Sequence, residues 1–176
     1  MKVPQIDHGV LDPTTGVEIT TPLGAPRGLE EDNPYETEGK TQDEQDRLFL
    51  DTLKQFHGSD TPPKKHFCVT PATGVILLSE GAAYLREYGG RGNGCYWLFD
   101  IISTEVLPLF KRYPENDLIS FEITVKDGQA SLLATSNAGS KLWTRHLGFA
   151  DLIDMELVLW MLRGDGYGHV LIPSEY

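Results

Sequence analysis

The chain is poor in cysteine and has no long apolar run, and each shortage excludes a class of protein. Its 176 residues include two cysteines, Cys68 and Cys95, which lack the CxxC spacing of a zinc site and the density of a disulfide-stabilised secreted domain. No run approaches the roughly 20 apolar residues of a membrane-spanning helix. Residues Met1–Asp7 do not have the charged and apolar regions of a secretory signal. We therefore expect a cytoplasmic protein that does not bind membranes and keeps both cysteines reduced and buried.

Basic residues are also scarce relative to acidic ones. The 15 lysines and arginines face 26 aspartates and glutamates, which gives a formal net charge of −11. This charge repels the phosphates of nucleic acids and the anionic surface of membranes, so direct binding to either is disfavoured. The negative charge is complementary to a basic protein partner. Such a partner can itself be a host complex that binds nucleic acid.

Residues 1–40 differ in composition from the rest of the chain. They hold five of the eleven prolines and show no helical or strand period, which predicts an extended N-terminal arm. Its end is acidic, because Gly28–Asp51 contains nine acids and two bases, a net charge of −7. One interpretation is a solvated charged surface without a partner. The other, which we prefer, is a partner-binding segment that imitates a phosphate backbone and uses Glu30, Glu31, Asp32, Glu36, Glu38, Asp43, Glu44 and Asp46.

Three helices are predicted in the first part of the remaining chain. Thr41-Gln-Asp-Glu44 has the pattern of a capping box, and apolar residues at helical spacing follow it to about residue 56. A second helix is predicted to begin after Ser79 and to stop at Gly89-Gly90. The stretch GCYWLFDIIS at 94–103 has i, i+4 apolar pairs and predicts a buried helix that bends or ends before Pro108.

The second part of the chain predicts a sheet. From Leu118 apolar and polar residues alternate up to Lys126, and Asp127-Gly128 follows as a hairpin turn. Met155–Leu162 is apolar at every position but one, which is typical of a strand that is central or covered on both faces. We predict an α+β fold in which residues 41–176 form one domain, with two to three helices on an antiparallel meander sheet of four to five strands. The remaining predicted strands are Gln129–Thr135, Lys141–Leu147 and His169–Ile172.

Motifs that carry catalysis or bind metals and cofactors are missing. The five histidines are scattered, and the chain has no HExxH motif and no GxSxG nucleophile elbow. A metal site on His66 and Cys68 would need ligands from distant segments. The glycines of Gly89–Gly94 match neither a phosphate-binding loop nor a dinucleotide fingerprint, and we interpret them as a flexible connector. We therefore predict no catalytic residue, metal or cofactor.

Asp100 is a lone carboxylate in an apolar stretch and supports an alternative. A buried carboxylate can act as a general acid or base, and the domain would then be a small enzyme or ligand-binding domain. Its pocket would lie between the helix at 95–107 and the sheet and would use Asp100, His57 or Cys95. The structural interpretation is that Asp100 faces the exposed or loop-covered side of the helix and accepts a hydrogen bond from a nearby backbone or arginine donor. A further alternative is a virion or assembly component that forms a homo-oligomer.

Four stretches together resemble a small family that is described only as a domain of unknown function and occurs in bacteria, phages and plasmids. They correspond to the family's F-x-G motif, its G-x-x-Y-L helix, its Y-W-L-x-D-x-I helix and its terminal L-P-S-E-Y motif, which reads Leu171-Ile-Pro-Ser-Glu-Tyr176 here. The resemblance covers about residues 48–176, and the glycine-rich insertion at 89–94 departs from it. It implies a mobile-element setting, and the family has no established activity that could be carried over to this chain. With the acidic charge, it leads us to expect a non-enzymatic inhibitor of a bacterial defence complex, of the anti-CRISPR type. The stretches are Leu53–Ser59, Leu78–Leu85, Tyr96–Ser103 and Leu171–Tyr176.

Overall fold

The computed structural model describes residues 39–58, 63–66, 74–90 and 94–176, all of which lie in one compact unit. The predicted arm at 1–40, apart from its last two residues, lies outside them, so the domain boundary at 40/41 stays a prediction. The described residues form four α-helices and seven strands. The helices are α1 (Gln42–Leu53), α2 (Glu80–Tyr88), α3 (Tyr96–Ile101) and α4 (Leu109–Arg112). The strands are β1 (Lys64–His66), β2 (Val75–Leu78), β3 (Leu118–Lys126), β4 (Gln129–Ser136), β5 (Lys141–Leu147), β6 (Met155–Arg163) and β7 (Tyr167–Leu171).

Helix α1 begins at the predicted capping box. The Glu44 carboxylate accepts a hydrogen bond from the Thr41 backbone N–H (2.8 Å), and the Thr41 hydroxyl accepts one from the Glu44 N–H (3.4 Å). These bonds satisfy donors that have no partner within the helix. The helix buries Phe49 and Leu53 and ends three residues before the expected position. Phe56 still packs on the body of the protein, with its ring 5.3 Å from that of Tyr84.

The long helical region before the sheet changes its hydrogen bonding just ahead of Pro108. After α3, residues Ile102–Val106 form a π-helical turn, in which the Leu107 N–H donates to the Ile102 carbonyl (2.8 Å). Proline has no N–H and its ring crowds the preceding turn, so a widened turn before Pro108 relieves the conflict. The hydroxyl of Thr104 donates to the carbonyl of Asp100 (2.7 Å), which helps to satisfy the backbone there.

The seven strands form one sheet in the order β1-β2-β7-β6-β3-β4-β5. The β3–β4 hairpin is confirmed, and Asp127 (φ 52°) and Gly128 (φ 71°) both adopt the left-handed conformation of a type I′ turn. Alternate residues of β3 are buried beneath the helices, whereas Glu122 and Thr124 on the other face are exposed. Residues from α1, α2, α3, α4 and the sheet belong to one hydrophobic cluster.

Three details of the predicted sheet were wrong. The expected four to five strands undercounted the seven, because β1 and β2 have three and four residues and show no readable period. The sheet is mixed, since β2 pairs in parallel with β7. It is not a simple meander either, because β6 pairs with β3 and β7. Strand β6 is central, as predicted, and its first half is covered on one face only: Leu159 is buried, whereas Glu156 and Val158 are exposed. On the second face Trp160 packs against Tyr176, with ring centroids 5.6 Å apart.

Candidate functional site

Four carboxylates from three separate segments line a groove of about 560 Å³. Two come from α1, one from the β3–β4 turn and one from the loop that leads into β6. Arg47 is the one basic residue among the lining residues, so four carboxylates and one guanidinium give a formal charge of −3. Leu50 and Ile153 add apolar surface. We call this the acidic groove, and it is lined by Asp43, Asp46, Arg47, Leu50, Asp127, Gly128, Ile153 and Asp154.

Local hydrogen bonds hold two of these carboxylates in position at the surface. Asp46 Oδ1 accepts from the side-chain amide of Gln42, one helical turn before it (2.8 Å). Asp154 Oδ2 accepts from the backbone N–H of Asp127 (3.2 Å), which joins the two loops that form one wall. Asp43, Asp127 and Asp154 are exposed and Asp46 is half-buried. The groove therefore presents oriented acceptors for a cationic ligand or partner surface.

The structure places the predicted partner-binding residues in different settings. Asp43 and Asp46 line the acidic groove. The carboxylate of Glu44 is instead held by Thr41, whose backbone N–H and hydroxyl lower the pKa of that carboxyl. The other five predicted residues, Glu30, Glu31, Asp32, Glu36 and Glu38, lie outside the described residues.

The sequence prediction missed Asp127 and Asp154. Asp127 was interpreted only as a turn residue, and Asp154 follows an unremarkable loop. Both lie more than 70 positions after α1, and nothing in a local pattern indicates that they meet it. Their proximity follows from the packing of the β3–β4 turn beside α1.

A second cavity, of about 480 Å³, lies between α3 and the end of β5. Asp100 is half-buried on its wall. The indole N–H of Trp97 donates to Asp151 Oδ1 (2.7 Å), which links α3 to the loop after β5. Phe149 is 79% exposed at the same place. We call this the Trp97 cavity, and it is lined by Trp97, Asp100, Ile101, Arg145, Leu147, Phe149, Ala150 and Asp151.

His57 and Cys95, the two residues proposed as alternatives to Asp100, do not line this cavity. Cys95 is fully buried, and its thiol donates to the carbonyl of Leu85 (2.9 Å). Burial, reinforced by the negative charge of Asp151, raises the pKa of the Cys95 thiol far above its usual range, so a thiolate nucleophile is disfavoured. His57 is exposed, and its Nδ1 lies 2.7 Å from the carbonyl of Gln55.

The described residues offer no metal site, and they include only part of the predicted connector at Gly89–Gly94. Within these ranges no group of three or more histidine, cysteine, aspartate or glutamate side chains is placed to hold a metal ion. Cys68, which was suggested as a metal ligand together with His66, lies outside the described residues. Residues 91–93 of the supposed connector also lie outside them, but Gly94 is buried with φ +79°. None of the described helices is both long and apolar enough to span a membrane.

Three of the four stretches that carry the family resemblance meet at the start of α2. Glu175 Oε1 accepts from the Gly81 backbone N–H (2.8 Å), and Oε2 accepts from the hydroxyl of Ser79. The hydroxyl of Ser174 donates to the carbonyl of Phe56 (2.8 Å). These contacts fasten the chain end to α2 and to the segment after α1, which gives these motif residues a structural role.

The comparisons with known proteins give one match. A model described as a family of unknown function, DUF6876, matches residues 47–176. This extent agrees with the resemblance placed at about 48–176 and confirms it as a domain of unknown function. No curated protein and no solved structure gives a significant match to the chain.

Proposed function

The chain belongs to the family of unknown function DUF6876, and we propose that it is a non-enzymatic protein that binds a basic protein partner through the acidic groove. The observation that supports this proposal is the meeting of Asp43, Asp46, Asp127 and Asp154 at one surface depression. Their carboxylates come from segments far apart in the sequence, so the fold concentrates charge beyond what the acidic segment at 28–51 provides.

The composition of the groove suits a protein partner. Carboxylates at a rim attract a cationic surface and raise the association rate, while apolar contacts slow dissociation. Leu50 is half-buried and Ile153 is buried in the groove wall, so a partner side chain that enters meets apolar surface between charges. The carboxylates held by Gln42 and Asp127 lose little conformational freedom on binding.

The partner class follows from the charge and from the implied mobile-element setting. In this proposal a phage or plasmid encodes the protein, which acts in the host cytoplasm. It occupies a basic groove that normally holds nucleic acid in a bacterial defence complex, as an anti-CRISPR inhibitor would. The net charge of −11 supports contact with such a groove and opposes contact with the nucleic acid itself.

Charge-neutral variants test the groove. We would measure binding of the full chain to a purified, guide-loaded CRISPR effector at low and at high salt. A variant with Asp43, Asp46, Asp127 and Asp154 all changed to Asn should bind at least about tenfold more weakly at low salt. The matched control removes four exposed acids outside the groove and should bind within about twofold of the unaltered chain. The control changes are Glu115→Gln, Glu122→Gln, Glu156→Gln and Asp165→Asn.

Two results would contradict the proposal for this partner. If the groove variant and the control lose the same amount of affinity for the effector, the binding depends only on net charge and not on the groove. Binding that does not weaken as salt rises would mean that the carboxylates do not form the interface.

The Trp97 cavity supports a second candidate, a small enzyme or ligand-binding domain, because Asp100 lies on its wall. Asp100→Asn keeps the shape of the side chain and removes its charge. If the domain is catalytic through Asp100, this change should abolish the phenotype of the gene while the melting temperature stays close to that of the unaltered chain. A normal phenotype would dismiss catalysis by Asp100.

A further inference from the structure

Strand β5 lies at one end of the sheet, and no described strand pairs with its outer edge. The outward backbone N–H and C=O groups of an edge strand can pair with another extended chain. Peptide recognition often uses this arrangement, in which backbone hydrogen bonds supply affinity and a neighbouring pocket selects the side chain. In this protein the Trp97 cavity is the neighbouring pocket.

The register of the sheet places the cavity on the covered side of this edge. Arg145 and Leu147 of β5 are paired with Leu132 and Ala130 of β4, both of which are buried beneath the helices. Arg145 and Leu147 therefore share the covered face, and both line the cavity. Residues directly opposite each other on neighbouring strands have their side chains on the same face. A residue of an added strand that stands opposite Leu147 would thus direct its side chain toward α3.

The lining of the cavity identifies the side chain that fits. Asp100 and Asp151 supply carboxylates, and Trp97 and Phe149 supply aromatic rings. The positive charge of Arg145 is already compensated by an ion pair with Glu105. A planar guanidinium makes charge-assisted hydrogen bonds with carboxylates and packs on aromatic rings.

We propose that an extended segment of a partner protein adds to the outer edge of β5 and places an arginine side chain in the Trp97 cavity. The inference rests on the proposed function, since it supposes a partner with basic residues, but it uses a surface distinct from the acidic groove. Phe149, which is 79% exposed, covers the stem of the arginine and acts as an apolar anchor.

The test uses purified full-length protein and a short capped peptide of alternating valine and threonine with one central arginine. Binding is followed by nitrogen–proton correlation NMR. We expect saturable shifts in the amides of β5 and in the indole N–H of Trp97. The same peptide with citrulline, a neutral analogue of arginine, should bind at least about fivefold more weakly.

Amino-acid substitutions distinguish binding in the Trp97 cavity from a general effect of the protein's charge on the peptide. Phe149→Ala removes an exposed ring, so it should leave the melting temperature unchanged. It should lower the affinity for the arginine peptide about fivefold. Asp100→Asn with Asp151→Asn should weaken it by a similar factor. The matched control, Glu122→Gln with Glu156→Gln, removes the same charge from exposed positions on the uncovered sheet face and should have no effect.

Three outcomes would overturn the inference: equal affinity for the arginine and citrulline peptides, shifts confined to the acidic groove, or β5 amides that move with protein concentration and not with peptide. The last would assign the edge to a second copy of the chain. If the acidic-groove variant loses effector binding but the peptide causes no shifts at β5, only this inference is refuted. If the peptide shifts the β5 amides but the acidic-groove variant still binds the effector, only the proposed role of the groove is refuted.

Discussion

The carboxylate of Glu175 accepts a hydrogen bond from the backbone N–H of Gly81, at 2.8 Å, across 94 positions of the sequence. A residue near the end of the chain thereby satisfies an N–H in the first turn of α2. It works together with Ser79, whose hydroxyl accepts from the Ala82 N–H (3.3 Å) and donates to the same carboxylate. The residues at 174–175, which lie in one of the stretches that carry the resemblance, thus help to cap α2 and to fix it to the segment after α1.

This cap predicts a loss of stability when Glu175 is changed. Glu175→Ala removes the acceptor for the Gly81 N–H, so the free energy of unfolding should fall by about 1–2 kcal/mol. Glu175→Gln keeps one acceptor oxygen, so its free energy of unfolding should fall by less. Urea denaturation measures both, and Asp165→Ala, at an exposed position, should change the value by less than about 0.5 kcal/mol. Equal stability of Glu175→Ala and this control would refute the capping role.

A pair of glycines tests whether the turn before α3 is tightly packed. Gly94 and Gly139 have nearly the same backbone conformation, with φ of +79° and +78°. A Cβ at Gly94 would lie 2.9 Å from the carbonyl oxygen of Arg86, whereas a Cβ at Gly139 would meet nothing within 4 Å. Gly139→Ala should therefore cost about 1 kcal/mol for backbone strain alone.

Gly94→Ala should cost about 2–4 kcal/mol, because steric overlap adds to the same strain. The difference between the two variants, measured by urea denaturation, isolates the packing contribution. Similar losses in both would show that the segment at Gly94 can move away, as a flexible connector would.

The burial of Cys95 predicts chemical inertness. In a Cys68→Ser background, which leaves Cys95 as the one thiol in the chain, an alkylating reagent at mildly alkaline pH should not label the native protein. The reason is that burial raises the pKa of the Cys95 thiol and also blocks access to it. The same protein in denaturant should be labelled completely, as followed by mass spectrometry. Native labelling at the rate of a free thiol would reopen a catalytic role for Cys95.

His169 on β7 predicts a dependence of stability on pH. Its Nε2 is buried and has no hydrogen-bond partner among the described residues. Desolvation lowers the pKa of His169 below its ordinary value of 6.5, with a smaller opposing effect from the charge of Glu175. The unfolded chain therefore binds a proton more readily than the folded chain does. The stability due to neutral His169 is complete above pH 6.5 and is lost as the pH falls toward the folded pKa.

The comparison is between the unaltered chain and His169→Gln. As the pH falls below about 6.5, the urea midpoint of the unaltered chain should drop more steeply than that of the variant. Other groups titrate equally in both proteins, so the difference between the curves reports His169. Parallel curves would mean that His169 is protonated as easily in the folded state as in the unfolded state.

The parts of the fold that were predicted correctly depend on neighbours within a few residues. Thr41 and Glu44 form a capping box over three positions, the Ser79 hydroxyl accepts from the Ala82 N–H three positions later, and the π-helical turn at Ile102–Val106 comes just before Pro108. The turn at Asp127-Gly128 needs only its own two left-handed residues. Such interactions form wherever the local residues allow them, so they can be predicted from the amino-acid sequence alone.

The pairing of segments that are distant in sequence required the folded chain. The parallel contact of β2 with β7, the position of β6 beside β3, and the groove that joins Asp43 and Asp46 to Asp127 and Asp154 have no local signal. Each arises because the helices and the sheet bury one shared apolar face, and the free energy of that burial is summed over the whole domain. Composition alone showed that the protein is strongly acidic, and tertiary packing decided which carboxylates face a common surface.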